Sequence, residues 1–427
     1  MTTMLALVLE DEREHDVGRS ALRRSTDHIL TSQAGSLPRP DDLVEMNRAR
    51  IAGEGVELSA ILGRLPSAVK EVVERQKQIG IDIPGDGEYG HATRQAVDYG
   101  AWWFYSFERL RGLSQVEGPD LPPQGPVAAG EIQLATFARR RDRATFSQAY
   151  NDPNSGIATA PRGTAAFVRP TVTGPIAYIG QDVLKADIAN FRAALDAAGV
   201  EEGFMTSVAP GSACRLPNQY YKTGEELIFA TADAMREEYK AIVDAGFILQ
   251  LDDPSIAENY DMITPEPSVE AYKKFTMVRV EAINHAIKGL PKDRIRFHLC
   301  WGSWHGAHTT DIPMKDIVDV MLAIDVQAYS FEAGNVRHEH EWRVWQDVKL
   351  PEGKIMIPGV VSHATNVIEH ADLVADRIER FANAVGRENV IAATDCGLGG
   401  RVHPQLAWAK LEALAAGAAI ATTRLWR

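Results

Sequence analysis

The feature of this sequence that most constrains its fold is a regular alternation of short apolar runs with longer helical segments. Eight apolar runs are strand candidates: 28–33, 81–86, 203–208, 247–251, 295–300, 328–331, 354–360 and 390–394. Strands that alternate with helices form parallel βαβ units. Eight such units close into a (β/α)8 barrel more readily than they form an open sheet, so the sequence predicts an α/β fold of the TIM-barrel type.

The helical segments carry apolar stripes. After the third strand candidate, apolar residues recur at steps of three and four, which places them on one helix face: Ile228, Ala232, Met235, Tyr239 and Ile242. Thr223 and Glu226 have the spacing of a capping box, and Gly246 is a typical stop. A second stripe is formed later in the chain by Val374, Ile378, Phe381 and Val385.

One segment, residues 100–180, does not follow the alternation. It contains the aromatic run 102–105, a Pro/Gly-rich stretch near 118–130 and a β-like stretch over 167–178. We interpret it as a large insertion after the second strand, a hairpin that packs over or beside the barrel mouth and shapes the pocket. Residues 1–27 are interpreted as an N-terminal extension, and residues 28–427 as the barrel.

Composition excludes several classes of function. The formal net charge of −13 argues against nucleic acid or an anionic membrane as the main partner, because both require a basic face. The longest apolar runs are too short to span a bilayer. Three cysteines in 427 residues cannot form a disulfide framework, so the sequence predicts a cytoplasmic protein. A homo-oligomer is compatible with the sequence, which does not determine the oligomeric state.

The chemically unusual residues cluster at the ends of the strand candidates. They are Ser36, Glu88, Asp252, His298, Cys300, Glu332 and Cys396, and each lies at or just past the C-terminal end of a run. In a barrel these ends converge on one mouth, where active sites are built. Residues far apart in the sequence are therefore expected to be neighbours.

Four of these residues have the chemistry of zinc ligands. His298 and Cys300 are two positions apart on one strand, so their side chains point to the same face. Glu332 and Cys396 end two further strands, and zinc accepts this mixture of N, S and O donors. Taken singly, Cys300 could be a small core residue, Cys396 could be a nucleophile or an inert thiol, and Glu332 could pair with Arg337. Their conjunction favours a metal site, whereas Cys214 is interpreted as structural.

A resemblance to a known family follows from these motifs. Six segments occur in one order: Ala34-Gly-Ser-Leu-Pro, Gly87-Glu-Tyr, Leu249-Gln-Leu-Asp-Asp-Pro, His298-Leu-Cys, Phe331-Glu-Ala and Thr394-Asp-Cys-Gly-Leu. Over roughly residues 28–410 the chain resembles the catalytic half of cobalamin-independent methionine synthase and its short single-barrel relatives, including epoxyalkane:coenzyme M transferase.

The resemblance implies a zinc-dependent alkyltransferase. Residues matching His298, Cys300, Glu332 and Cys396 hold Zn²⁺ in the family, and Glu332 is expected to yield when the thiol enters. A small thiol of the homocysteine or coenzyme M type would react as a zinc thiolate with a methylated folate-like donor or an epoxide, because the thiolate is the nucleophile.

Substrate residues are implied by the same resemblance. Ser36, Glu88 and Asp252 resemble the residues that hold the amino acid in the methionine synthases, and two carboxylates suit the ammonium of homocysteine. Other roles stay open at this point. Glu88 could satisfy backbone donors at a strand end, and Asp252 could cap a helix or pair with an arginine.

Three histidines are candidates for the general acid. Methionine synthases carry a histidine in an Asp-Ile-His-Ser turn after the seventh strand, whereas this chain has Gly359-Val-Val-Ser-His, which brings His363 one position early. His305 and His338 follow the zinc motifs and are further candidates for protonating a leaving group. The alternative for the 337–342 segment is a hydrogen-bonded loop that supports the mouth.

Two other classes of function remain compatible with these residues. A metal-free lyase resembling uroporphyrinogen decarboxylase shares the barrel type, but it would not need His298, Cys300 and Cys396 together. A non-catalytic zinc-binding protein would present a closed site that no thiol can enter.

Overall fold

The computed structural model describes residues 21–91, 100–116, 121–125, 127, 129–157 and 169–427. Most of the predicted N-terminal extension, residues 1–20, and part of the Pro/Gly-rich stretch lie outside this set. The strands are β1 (Leu30–Thr31), β2 (Leu110–Ser114), β3 (Thr171–Tyr178), β4 (Phe204–Val208), β5 (Ile248–Asp252), β6 (Ile295–Leu299), β7 (Ala328–Phe331), β8 (Ile355–Val361) and β9 (Ile391–Thr394).

The helices follow the strands in sequence, as βαβ units require. They are α1 (Asp41–Ile51), α2 (Leu58–Ile79), α3 (Ala101–Arg109), α4 (Arg141–Thr145), α5 (Ser147–Asn151), α6 (Gln181–Ala198), α7 (Pro210–Ala213), α8 (Gly224–Asp244), α9 (Ser255–Glu258), α10 (Val269–Ala286), α11 (Met314–Leu322), α12 (Val344–Asp347), α13 (Ala371–Val385) and α14 (Pro404–Leu425). Among the described residues, none of these helices combines the length and apolar character that a bilayer crossing requires.

Seven strands form one parallel sheet in the order β1-β9-β8-β7-β6-β5-β4. Every residue of β4 to β9 is buried, which is typical of parallel strands covered on both faces. Seven of the eight strand candidates are therefore confirmed, although β1 is shorter than the predicted run 28–33. The common direction of the strands places their C-terminal ends at one edge.

The prediction of a strand over 81–86 is wrong. This segment makes one isolated bridge, between Gly85 and Phe204, in place of a ladder. Pro84 has no N–H to donate and glycine weakens an extended segment, so continuous pairing is lost here. The segment still contacts both outer strands of the sheet. Ile83 N donates to Thr31 O (3.0 Å) beside β1, and Phe204 N of β4 donates to Pro84 O (3.0 Å).

Residues 100–180 form their own small structure. The aromatic run lies in α3, and β2 pairs antiparallel with β3 in a separate two-stranded sheet. The β-like stretch predicted over 167–178 is a strand from Thr171, while residues 158–168 lie outside the described part of the chain. Trp103 and Phe104 of α3 belong to the main hydrophobic core, so this segment packs against the body of the protein.

The two helices predicted from apolar stripes are confirmed as α8 and α13, and the predicted cap of α8 is observed as well. Thr223 caps α8 by accepting from Glu226 N (3.1 Å), and Gly246 follows its end with φ +84°. The Glu226 carboxylate reaches back to Lys222 N, one residue earlier than an ideal capping box. The buried face of α13 includes Val374, Ile378 and Phe381, as the second stripe predicts.

Candidate metal centre

Three of the predicted ligands come together at the C-terminal edge of the sheet. His298 lies near the end of β6, Cys300 just past it, and Cys396 two residues beyond β9. One ligand atom from each lies within 4.8 Å of the other two, and all three residues are buried. The two sulfur atoms are 3.8 Å apart. Parallel strands thus bring together residues that are nearly a hundred positions apart.

The His298 ring is held in one orientation. Its Nδ1 lies 2.9 Å from Ser330 Oγ, on the neighbouring strand β7, where the sheet register pairs the two residues. Its Nε2 is buried and has no hydrogen-bond partner among the described residues. A buried polar atom without a partner is costly. Metal-ligating histidines commonly bind through one ring nitrogen and are oriented through the other, which is the arrangement here.

The thiols of Cys300 and Cys396 shift each other's pKa in opposite directions. The contact with Cys300, together with Arg401 and His298, holds the pKa of Cys396 well below its usual range against the opposing effect of burial. The contact with Cys396, burial and the Glu332 carboxylate raise the pKa of Cys300. The two shifts have opposite directions because the sulfurs share one hydrogen bond. A cation that binds both sulfurs would favour loss of the shared proton.

Glu332 lies beside this group, in a second cluster with His363 and Asp395. Its Oε1 accepts from Trp301 N (2.8 Å) and its Oε2 from Asn335 Nδ2 (2.9 Å). Burial raises the pKa of Glu332 to about 8. The alternative pairing with Arg337 is not observed, because that guanidinium donates to Thr309 O.

Asp395 was not predicted to have a role of its own. Its Oδ1 accepts from Ala333 N (2.8 Å) and Gly334 N (2.7 Å), and its Oδ2 accepts from Asn335 Nδ2 (3.2 Å). These bonds tie the residue before Cys396 to the loop after β7. Asp395 therefore fixes the position of Glu332 relative to the sulfurs.

The sulfurs open into a cavity of about 850 Å³. Its walls include His298, Cys300 and Cys396, together with the three predicted substrate residues Ser36, Glu88 and Asp252. Trp102, Trp103 and Phe104 of α3 line it as well, as expected of a segment that shapes the pocket. The cavity size is that of a site for small molecules.

The two predicted substrate carboxylates, Glu88 and Asp252, are buried and have few hydrogen-bond partners. Glu88 Oε1 accepts from Thr206 Oγ1 (3.1 Å), while its Oε2 has no hydrogen-bond partner in the described part of the chain. Gly35 allows this approach, because a Cβ there would lie 2.2 Å from Glu88 Oε1. Burial and the nearby Asp86 raise the pKa of Glu88 to about 7.

Asp252 has neither of the alternative roles considered from the sequence. It accepts from Gln250 Nε2 (2.7 Å), and the following helix α9 has no side-chain cap. Burial and Glu88 raise the pKa of Asp252 well above its usual range. Arg401, which the sequence did not suggest, lies beside this pair and donates to Ser36 Oγ (3.0 Å). Two carboxylates and a guanidinium thus face one cavity.

The three histidines predicted as general acids are not among the residues that line the cavity. His305 Nε2 lies 3.2 Å from the backbone oxygen of His363. His338 stacks on Trp301 and bridges Asp311 (3.1 Å) and Glu341 (2.8 Å). Although burial opposes the charged form, these two carboxylates raise the pKa of His338 to about 10. Burial lowers the pKa of His363 to about 3. These contacts tie His338 to Asp311, Glu341 and Trp301, which is the hydrogen-bonded arrangement that the sequence offered as the alternative.

Replacing Ser330 by alanine is expected to lower zinc affinity by roughly 10- to 100-fold, because partners of the second ring nitrogen orient a metal-bound histidine. The measurement is a competition titration of zinc against a chromophoric chelator. Ser207, on β4, is a matched control, because its hydroxyl donates to Glu238 away from the sulfurs. Equal zinc affinity in Ser330→Ala and Ser207→Ala would contradict the role given to Ser330.

Comparison with known proteins identifies relatives along most of the chain. A family model described as the catalytic domain of the cobalamin-independent synthase matches residues 165–419. The methionine synthase of Saccharolobus solfataricus is 23% identical over 403 residues, which cover 93% of this chain and 96% of its own length. That of Sulfurisphaera tokodaii is 23% identical over 373 residues, covering 87% of this chain and 86% of its own.

Solved structures agree in fold. A B12-independent methionine synthase from Shewanella sp. W3-18-1, in complex with selenomethionine, has a TM-score of 0.67 at 20% identity, covering 93% of this chain and 99% of that one. A putative vitamin-B12 independent methionine synthase from Listeria monocytogenes has a TM-score of 0.57 at 18% identity, covering 96% and 99%.

Proposed function

Because the chain belongs to the family of the cobalamin-independent synthase catalytic domain, we propose that it is a zinc-dependent transferase that alkylates a small thiol. The observation that carries the proposal is the gathering of His298, Cys300 and Cys396 at the wall of the large cavity. A non-catalytic zinc site would be closed on all sides, whereas this one faces space for a substrate. A lyase without a metal would have no use for two paired thiols.

The donor set fits zinc. One imidazole nitrogen and two sulfurs are the ligands that zinc prefers, and three protein ligands leave a position for substrate. The buried Nε2 of His298, which has no partner among the described residues, would gain one by binding the ion. Glu332 is the conditional fourth ligand, because its oxygens already accept from Trp301 N and Asn335 Nδ2. We infer that it weakens or leaves when a thiol binds.

Bound zinc lowers the pKa of a coordinated thiol, so that the nucleophilic thiolate is present at neutral pH. The protein supplies the geometry around it. Ser330 orients His298, and Asp395 holds the loop that carries Glu332. Glu88 and Asp252 bind the ammonium of the thiol substrate, and Ser36 with Arg401 binds its carboxylate. This arrangement favours homocysteine over coenzyme M, which lacks an ammonium.

We further propose that segment 81–85 takes the eighth position of a closed barrel that spans residues 28–427. Its hydrogen bonds to Thr31 of β1 and Phe204 of β4 support this proposal. The three free thiols suit a reducing cytoplasm. A methylated folate-like donor and an epoxide both remain candidates for the electrophile. His305, His338 and His363 remain predictions as proton donors, without support from the cavity wall.

The test is zinc content followed by zinc X-ray absorption with added homocysteine or coenzyme M. We expect about one zinc per chain and one additional sulfur scatterer when homocysteine is added. The alanine variant of Cys214, a buried cysteine outside the cluster, should behave as the wild type. A purified protein that binds no zinc, or a zinc spectrum that no thiol changes, would overturn the proposal.

A further inference from the structure

A buried histidine, His91, packs next to Glu88 without lining the cavity. It is 5% exposed, and its Nδ1 has no hydrogen-bond partner among the described residues. The nearest charged atom is Glu88 Oε2, which is likewise buried without a partner in the described part of the chain. The two atoms are 3.9 Å apart, which is too long for a hydrogen bond. Two unpaired polar atoms that face each other in a protein interior are unusual, because each of them costs free energy.

The backbone holds Glu88 and His91 close together. The two residues are joined by a tight turn, in which His91 N donates to Glu88 O (3.0 Å). Glu88 has a φ of +61°, in the left-handed region that residues with a side chain rarely adopt. Its N donates to Asp86 Oδ1 (2.9 Å), which supports this conformation. Strained backbone of this kind is typical of functional sites, so the position of the Glu88 side chain is an important property of this turn.

The face of the His91 ring is held by Tyr105 of α3. The two rings are parallel to within 3°, and their centroids are 3.8 Å apart. Tyr105 is itself fixed, because its hydroxyl donates to Glu238 Oε1 (2.7 Å) and accepts from Val208 N (3.0 Å). The stack and the turn together leave the imidazole little freedom to move. Since α3 belongs to the segment predicted as an insertion, this segment supports the surroundings of Glu88 as well as lining the cavity.

The His91 imidazole is neutral. Burial, together with the positive charges of Arg109 and Arg39, lowers the pKa of His91 well below its usual range. A charged imidazolium beside Glu88 would repel the ammonium that this carboxylate is proposed to bind, whereas a neutral ring does not. A neutral imidazole still has one N–H to donate. His91 can therefore form a hydrogen bond with a carboxylate without cancelling its charge.

We propose that His91 is a positioning residue for Glu88. When the ammonium of the thiol substrate binds, the N–H at His91 Nδ1 donates to Glu88 Oε2 and holds the carboxylate in place. Each carboxylate oxygen can accept two hydrogen bonds, so Oε2 can serve the imidazole and the ammonium together. A movement of about 1 Å brings the two atoms to hydrogen-bond distance. The inference rests on the proposed function, which assigns the ammonium to Glu88.

The test compares homocysteine with 4-mercaptobutanoate, which is the same thiol without the amino group. His91→Phe keeps a ring against Tyr105 and removes both nitrogens. It should weaken homocysteine binding by roughly 10-fold, as expected for the loss of one hydrogen bond to a charged group, and leave 4-mercaptobutanoate binding unchanged. Dissociation constants of both thiols are measured by calorimetric titration. A residue that only supported the fold would affect both thiols alike.

Two amide variants separate the role of the nitrogen from that of the stack. The amide of asparagine can present an N–H close to the position of Nδ1, whereas the longer side chain of glutamine reaches the position of Nε2. His91→Asn should therefore retain the preference for homocysteine, and His91→Gln should lose it, which decides the matter even if His91→Phe does not fold. His285→Phe is the matched control, because His285 is exposed and pairs with Asp233 on the surface.

A double variant shows whether His91 acts through Glu88. In the Glu88→Gln background, His91→Phe should change homocysteine affinity little, because the charged partner of His91 is absent. An equal loss of affinity for both thiols in His91→Phe would overturn the inference. So would a loss of homocysteine affinity that is the same with and without the Glu88 carboxylate.

Zinc content is measured on the same samples. A preference for homocysteine that His91→Phe abolishes in a chain without zinc would mean that the proposed function fails while the inference stands. Normal zinc content and thiol uptake, with the same preference in the wild type and in His91→Phe, would mean the reverse.

Discussion

Replacing Cys396 by alanine is expected to abolish zinc retention and to lower the rate of thiol alkylation by at least about 10³-fold, equivalent to about 4 kcal/mol of transition-state stabilisation. Cys396 supplies one of the three ligand atoms that lie within 4.8 Å of one another. Its loss leaves one imidazole, one thiol and the conditional ligand Glu332, and once a substrate thiol displaces Glu332 only two protein ligands remain, which is too few for a stable zinc site. The substrate thiol then reverts to its solution pKa and is mostly protonated at pH 7.

The chain contains its own control for this experiment. Cys214 is also buried, but its sulfur lies 3.7 Å from Gln124 Nε2, outside the ligand cluster. Burial raises the pKa of Cys214 to about 11, so it is an inert thiol at neutral pH. Cys214→Ala should keep both zinc and activity. Zinc analysis and a methionine-formation assay check both variants, and activity that survives in Cys396→Ala would exclude its role as a ligand.

The fold could be predicted from sequence wherever one local signal dominates. Buried parallel strands appear as short apolar runs, and seven of eight such runs are strands of one sheet. The exception, 81–86, has an apolar start but contains Pro84 and Gly85, which interrupt the ladder. The hydrogen bonds that this segment still makes to β1 and β4 are long-range contacts, which no local pattern records. For residues 100–180 the sequence predicted a hairpin and a β-like stretch, but not that β2 would be the partner of β3, because this pairing joins segments far apart in sequence.

The centre of the site could be predicted because strand direction determines it. The C-terminal ends of parallel strands share one edge, and the curl of the sheet across β7 and β8 brings Cys300 after β6 close to Cys396 after β9. Ser330 had a usable signal, since it lies on β7 two positions before Glu332, which directly follows the strand, and period-two alternation points both side chains to one face. Arg140 and Arg215, which also line the cavity, had none. Arg140 and Arg215 lie in irregular segments, and their common partner Glu258 follows from tertiary packing.

Glu88 is expected to govern the affinity for homocysteine. Changing it to glutamine should weaken homocysteine binding by roughly 10- to 100-fold, the value of a hydrogen bond to a charged group. Glu88 Oε2 lies 3.9 Å from His91 Nδ1 but has no hydrogen-bond partner among the residues that the structure describes, so it can accept from an incoming ammonium. A thiol without the amino group, 4-mercaptobutanoate, is the matched ligand and should bind equally well to both proteins.

The affinity for homocysteine is expected to depend on pH through the ionisation of Glu88. The pKa of Glu88 is about 7 in the free protein, because burial and Asp86 disfavour the charge. Only the ionised carboxylate attracts an ammonium, so homocysteine affinity should rise between pH 6 and pH 8 as this proton is lost. Deprotonation of the thiol also contributes to such a rise, and 4-mercaptobutanoate measures that part alone. The wild type should show the steeper rise for homocysteine, and Glu88→Gln should reduce it to the slope of 4-mercaptobutanoate. The measurement is a calorimetric titration with homocysteine at three pH values. If homocysteine affinity rose equally with pH in the wild type and in Glu88→Gln, a role of Glu88 in ammonium binding would be excluded.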